Sequence, residues 1–258
     1  MPKHWVKFPH PDKSYALDAA ALKKQWARLH RGDCEPVPKS ADAVDAWRLF
    51  HAGDFGGAVE RGLAAGGAAI NAAIKAQTIY ATYLAPLEKV KLALFEDAAG
   101  WAERRRADAP KDANAHYLHA FAMGRYSQGI SVAKALAQGF GGKIKEALTT
   151  ALKLEPKHAE AHTAFGAYQA EVINKVGALV GGLTYGAKKE SAIEHYETAL
   201  KLHPDSAIAR IEYGNGLLLL FGKTRLSDVE KLYAAAAQCK PADAMERLDV
   251  EYARSELE

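Results

Sequence analysis

The residues with the widest chemical reach in this chain are histidines. His116 and His119 are three apart, and His158 and His162 are four apart. On a helix both spacings put two imidazoles on one face, as a metal site requires. No cysteine or carboxylate completes an HExxH-type set. His116 and His162 hold one position in successive copies of a repeat, and Arg210 and Arg247 hold it in later copies. A position that takes either His or Arg reads as a polar helix face turned to a neighbour, so no metal is expected. Gly139-Phe140-Gly141-Gly142-Lys143 has the look of a phosphate loop. The full pattern needs a glycine where Ala137 stands and a Ser or Thr where Ile144 stands, so no nucleotide or other cofactor is expected. There is no GxSxG, and Cys34 and Cys239 lack special neighbours. No catalytic residue set emerges, and an enzyme is not expected.

Those residues sit on a repeated phrase. Ala-Leu-Lys-Leu-His-Pro ends at Pro204, and Ala-Leu-Lys-Leu-Glu-Pro ends at Pro156. Fainter copies end at Pro110 and Pro241. Each joins an apolar helix end to a proline corner and a new alanine-rich helix. The intervals are 46, 48 and 37 residues, against about 34 for a helix–turn–helix repeat. The extra length falls between paired helices, in two similar glycine-rich, apolar insertions at 129–143 and 175–188. The first helix of each pair is expected to run on into its insertion and turn back at a glycine-aromatic-glycine corner. The insertions are expected to pack on each other; standing apart, they would expose a surface that wants a partner.

Upstream, three prolines among residues 1–14 predict an extended arm laid on the body. Leu22, Trp26 and Leu29 share one face of a helix over 18–30. Ser40 caps the next helix, with Val44, Trp47 and Phe50 facing the core. Gly53-Asp54 closes that helix and caps another. Residues 68–84 and 87–107 read as two more helices, the second ending in Arg104-Arg105-Arg106, which suits the helix dipole better than nucleic acid. A helix from about Asp243 closes the chain.

Composition narrows the partners. The 258 residues carry 34 basic and 31 acidic side chains, a net charge of +3, which argues against nucleic-acid partners. No stretch is apolar and long enough for membrane insertion, and no apolar leader is visible, so a cytoplasmic location is the expectation. The two distant cysteines fit reduced thiols.

In the unit ending at Pro204, Ala192, Tyr196 and Ala199 fall where tetratricopeptide repeats place small, aromatic and small residues. Tyr213-Gly214 and Phe165-Gly166 fall where that family places Leu-Gly, and Tyr233 with Ala236 fit before Pro241. The chain thus resembles tetratricopeptide repeat proteins from about 41 to 255. Its lengthened units resemble the tetratricopeptide-like fold of the regulator-of-microtubule-dynamics family and its bacterial relatives. The resemblance implies an all-α, right-handed solenoid of antiparallel helix pairs, ten to twelve helices in all. Residues 1–40 would form an arm and capping helix, and residues 41–258 the repeat domain.

It also implies a concave groove for a peptide or protein. Family groove positions map to Asn114, Tyr117 and Phe121, to Glu160 and Thr163 with Ala167, and to Ile208, Ile211 and Asn215. Arg125, where the first insertion starts, joins them as a candidate contact. Core packing between repeats is the competing role for Tyr117, Phe121 and Ile211. The expected function is a non-catalytic scaffold for protein–protein interaction. The alternative is a carrier that holds a small apolar ligand between the lengthened helices, as an accessory to a transport system.

Overall fold

The computed structural model describes residues 5–258. It is built from fourteen α-helices and two short 3-10 turns, with no strand among the described residues. The helices are α1 (Ala19–Leu29), α2 (Ala41–Ala52), α3 (Phe55–Ala65), α4 (Ala69–Tyr83), α5 (Glu88–Asp108), α6 (Ala113–Gln128), α7 (Val132–Ala137), α8 (Phe140–Leu154), α9 (Ala159–Val176), α10 (Ala178–Tyr185), α11 (Lys189–Leu202), α12 (Ala207–Phe221), α13 (Leu226–Ala237) and α14 (Ala244–Ser255). They stack as a solenoid of antiparallel pairs: α2 with α3, α4 with α5, α6 with α8, α9 with α11, and α12 with α13.

Small residues set how closely the pairs approach. Tyr196 is fully buried between Gly166 and Gly216. A Cβ on Gly216 would stand 2.6 Å from the Tyr196 hydroxyl, and one on Gly166 would stand 2.9 Å from its ring. The repeat's alternation of small and aromatic residues is therefore a packing code between neighbouring units.

The helix after each of the four repeat prolines is capped by a side chain. The side chains of Asp112, His158, Ser206 and Asp243 accept backbone N–H groups in the first turns of α6, α9, α12 and α14. The histidine position one turn on has a local task. His116 Nε2 lies 3.0 Å from the Pro110 carbonyl, and His162 Nε2 lies 3.1 Å from that of Pro156. Arg210 donates to the Ser206 carbonyl at 2.9 Å. The imidazole or guanidinium locks the corner of its own repeat.

The insertions correct one expectation. The first helices do not run through them. Each insertion is a separate short helix, α7 or α10, set off by Gly129 or by Gly177, whose φ is 81°. The two insertions meet at one point: a Cβ on Gly141 would stand 2.7 Å from the Tyr185 ring.

The N-terminal segment does more than cover an end. Trp5 packs on Tyr80 with ring centroids 4.4 Å apart, and the Val6 N–H donates to the Tyr80 hydroxyl. Residues 1–4 of the expected arm lie outside the described residues. The link after α1 then crosses the inside of the solenoid and meets three proline corners in turn. Asn114 Nδ2 donates to the Asp33 carbonyl, the Glu160 N–H to the Gly32 carbonyl, and Arg31 to the Leu202 carbonyl. The last helix closes the loop of contacts. Glu246 of α14 accepts two bonds from Arg28 of α1, and Asp243 lies 2.7 Å from His51 of α2. Met245 and Leu248 share a core with Trp26, Trp47 and Phe50. The solenoid thus returns on itself, and its concave side becomes a cup.

Candidate functional site

The interior of the cup holds a cleft with a volume of about 170 Å³. One wall is the inward stripe of α6: Tyr117, Ala120, Phe121, Gly124, Arg125 and Gln128. From Tyr117 to Gln128 that stripe runs about 16 Å along the helix axis. Thr163, Ala164, Ala167 and Tyr168 of α9 face it, and Ile79 and Tyr83 of α4, Ile208 of α12 and Met245 of α14 complete the sides. At the far end both insertions contribute: Val132, Leu136, Phe140 and Gly141 from one, Val176 and Tyr185 from the other. The lining is mainly aliphatic and aromatic.

The floor is ionic. Lys75 donates to Asp33 at 2.6 Å and to Glu160 at 2.9 Å. Burial works against the Lys75 charge, but the two carboxylates outweigh it and hold the amine protonated. Asp33 is likewise opposed by burial, yet Lys75 and His30 hold it well below the usual carboxylate range. Burial raises Glu160 in spite of Lys75, and the Tyr117 hydroxyl beside it favours the charged carboxylate. Behind Asp33 the polar chain continues. His30 Nδ1 lies 2.9 Å from Asp33, its Nε2 lies 3.2 Å from His51 Nε2, and His51 reaches Asp243. Burial lowers His30 to about 4, so it is neutral at pH 7. His158 is neutral too: it accepts the Ala161 N–H on Nδ1 and donates from Nε2 to Asn114 Oδ1. Burial brings its pKa down to about 3.

Higher in the cleft, two more polar groups interrupt the apolar walls. Arg125 donates to Glu212 at 2.7 Å and lies over the Phe121 ring. The Tyr83 hydroxyl donates to Asp249 at 2.5 Å, and burial pushes Asp249 up to about 8. The buried Tyr168 hydroxyl has no protein partner among the described residues.

The groove candidates divide. Tyr117, Phe121, Arg125, Glu160, Thr163 and Ile208 line the cleft. Asn114 does not: it is buried, and its amide bridges the Asp33 carbonyl and His158. Ile211 lies in the core between α12 and α13. Asn215 accepts the Tyr233 hydroxyl and borders a second depression that Arg125, Gln128 and Glu212 share with it. Sequence reasoning missed Lys75, Tyr83 and Asp249. Lys75 sits in an alanine-rich helix, and nothing nearby in sequence marks its partners; only closure of the cup brings α4, α9 and α14 together.

The histidine pairs make no shared centre. His119 faces Glu103 at 2.9 Å, His162 faces His195 at 2.8 Å, and no cluster of three or more metal-binding side chains occurs among the described residues. No helix of the described residues is long and apolar enough to cross a membrane.

Comparison with known proteins agrees with this architecture. The solved structure of TTC0263, a thermophilic tetratricopeptide repeat protein from Thermus thermophilus, is similar with a TM-score of 0.58. That likeness covers 83% of this chain and 97% of the other at 18% identity, so it speaks for the fold alone. No curated protein matches the sequence. The family described as "Regulator of microtubule dynamics protein 1-3" matches residues 74–214, which span α4 through most of α12 and so most of the cleft. The chain belongs to that family.

Proposed function

We propose that this protein is a non-catalytic binding module whose cleft takes up one elongated, largely apolar ligand, end first. The observation that carries the reading is the shape of the cleft: apolar walls, an ionic floor, and both insertions at the opposite end. A pocket lined by apolar side chains with a few convergent polar groups is the usual form of a small-ligand site. The link at 31–35 lies behind Lys75 and Glu160 at the floor, which favours a ligand that enters from the other end. Residues 31–35 act here as the backing of that floor. The Tyr168 hydroxyl and Arg125 offer donors to a polar group on the ligand. Glu160 and Lys75 already satisfy each other, which leaves contact with the ligand to the apolar walls.

A second reading keeps the ligand on a partner protein. The second depression, around Arg125, Gln128 and Asn215, shares residues with the cleft. It suits the flanking chain of a segment that inserts one apolar anchor.

Gly124 makes the test direct. It faces the cleft from within α6, and a Cβ there would meet nothing within 4 Å. Gly124→Leu therefore fills the cleft without disturbing the backbone. Non-denaturing mass spectrometry of protein purified from its own host should find a small-molecule adduct on the wild type and none on the variant. A peptide-sized or protein adduct lost in the same way selects the second reading. Adducts indifferent to Gly124→Leu, or none on either protein, would overturn both.

A further inference from the structure

The two insertions differ from the rest of the surface in both hydropathy and charge. Leu179 is 75% exposed and Leu183 82%, the two most exposed large apolar side chains described. Val180, Leu136 and Val132 stand out beside them. Exposed apolar side chains gathered at one place mark an interaction surface, whereas scattered ones do not. These are gathered. α7 and α10 flank the same end of the cleft, and Gly141 and Tyr185 bring their segments into contact.

The charges within the two insertions have one sign. Residues 129–145 hold Lys134, Lys143 and Lys145 with no acidic residue, and residues 172–189 hold Lys175, Lys188 and Lys189 with none. These six lysines exceed the net charge of the whole chain, +3, so the remainder of the molecule is acidic on balance. Lys189 is tied to the Leu220 carbonyl, and Lys175 faces Glu171. Lys134 and Lys143 lean over Tyr126 and Phe140, and neither amine meets a carboxylate among the described residues.

We propose that the α7 and α10 face docks on the surface of an anionic lipid bilayer. Leu179, Val180 and Leu183 would enter the interface between headgroups and acyl chains, and Lys134, Lys143 and Lys188 would meet the lipid charges. Short apolar segments with flanking lysines bind such surfaces by adding apolar burial to electrostatic attraction. A protein partner could cover the leucines equally well, but it would not account for two insertions whose only charged residues are lysines. The proposal does not depend on what fills the cleft, although it places the cleft's end at the bilayer.

The test is co-sedimentation of the full chain with two kinds of vesicle: phosphatidylcholine alone, and phosphatidylcholine with about one third phosphatidylserine. Binding is expected only to the second and is expected to fall with added salt. Leu179→Glu with Leu183→Glu should weaken it at least about tenfold. Both side chains touch little of the protein, so thermal melts should show the variant folded. Lys134→Glu with Lys143→Glu should abolish the preference for anionic vesicles. Gly124→Leu should leave binding unchanged, which separates this face from the cleft. Absence of binding, equal binding to both vesicles, or indifference to the leucine variant would overturn the proposal. So would a concentration-dependent dimer in ultracentrifugation that the leucine variant dissolves, since the face would then belong to a second copy of the chain.

Discussion

The two ends of the cleft are built on opposite terms. At the floor, Asp33, Lys75, His30 and His51 are almost wholly buried, and each has a charged or polar partner from a different helix or link. At the far end, α7 and α10 are short helices, and only Gly181 among their residues is buried. The floor is held by groups that cannot be removed singly without stranding a buried charge. The far end is held by a few apolar contacts and can be altered cheaply. Position is fixed where the repeats meet the N-terminal link, and adaptability is left where a ligand would enter.

The sharpest way to break this contrast is Lys75→Met. It strands Asp33 and Glu160 in the interior, and a loss of about 3–5 kcal/mol is expected in urea unfolding. A loss below about 1 kcal/mol would mean that the floor is not the tie described.

Acidity offers a second probe of the floor and walls. Burial lowers His30 to about 4 and His158 to about 3, below the unfolded value near 6.5. The unfolded chain binds more protons in that window, so stability falls as pH drops from 6.5 toward 4. Asp249 runs the other way. Its folded value of about 8 lies above the unfolded value of 3.8, so the folded state binds the extra proton. Its contribution to stability is therefore fully present at low pH and is lost as pH rises from about 4 through 8. A stability maximum near pH 6.5 is expected, with a decline toward pH 8. Asp249→Asn should reduce the alkaline decline, to which Glu35, also raised by burial, contributes, and leave the acid one, as read by melting temperature across pH.

Smaller effects belong to the apolar part. Gly124→Leu removes a mid-helix glycine and should stabilise the fold by roughly 0.5–1 kcal/mol. Leu179→Ser, at the far end, should change stability by less than about 0.5 kcal/mol. A large loss from Leu179→Ser would show that α10 is a structural brace and would erase the contrast.

Much of the fold was legible because it is local. The N-caps at Asp18, Ser40, Asp54 and Asp243 were readable from residue type and the apolar pattern after them. Tyr196 with its flanking alanines announced the repeat, since packing between neighbouring units acts on residues close in sequence. Two things were not legible. The return of α14 onto α1 and α2 depends on the summed curvature of five helix pairs, and no single spacing records it. The insertions share their composition with a continued helix, and the break at Gly177 turns on one backbone angle. The same non-locality explains the site. Tyr117, Phe121 and Arg125 follow from one helix face, whereas Lys75, Asp33 and Glu160 meet only after closure. Nearly balanced total charge also concealed the lysines around α7 and α10, because the acidic excess lies elsewhere.

The central claim, an interior cleft that accepts an apolar ligand, is tested most directly by titrating 1-anilinonaphthalene-8-sulfonate into the wild type and Gly124→Leu and following its fluorescence. One saturable site in the wild type, weakened at least about tenfold in the variant while the melting temperature holds or rises, is the predicted result. Equal affinity in the two proteins would place the probe elsewhere on the molecule and contradict the claim.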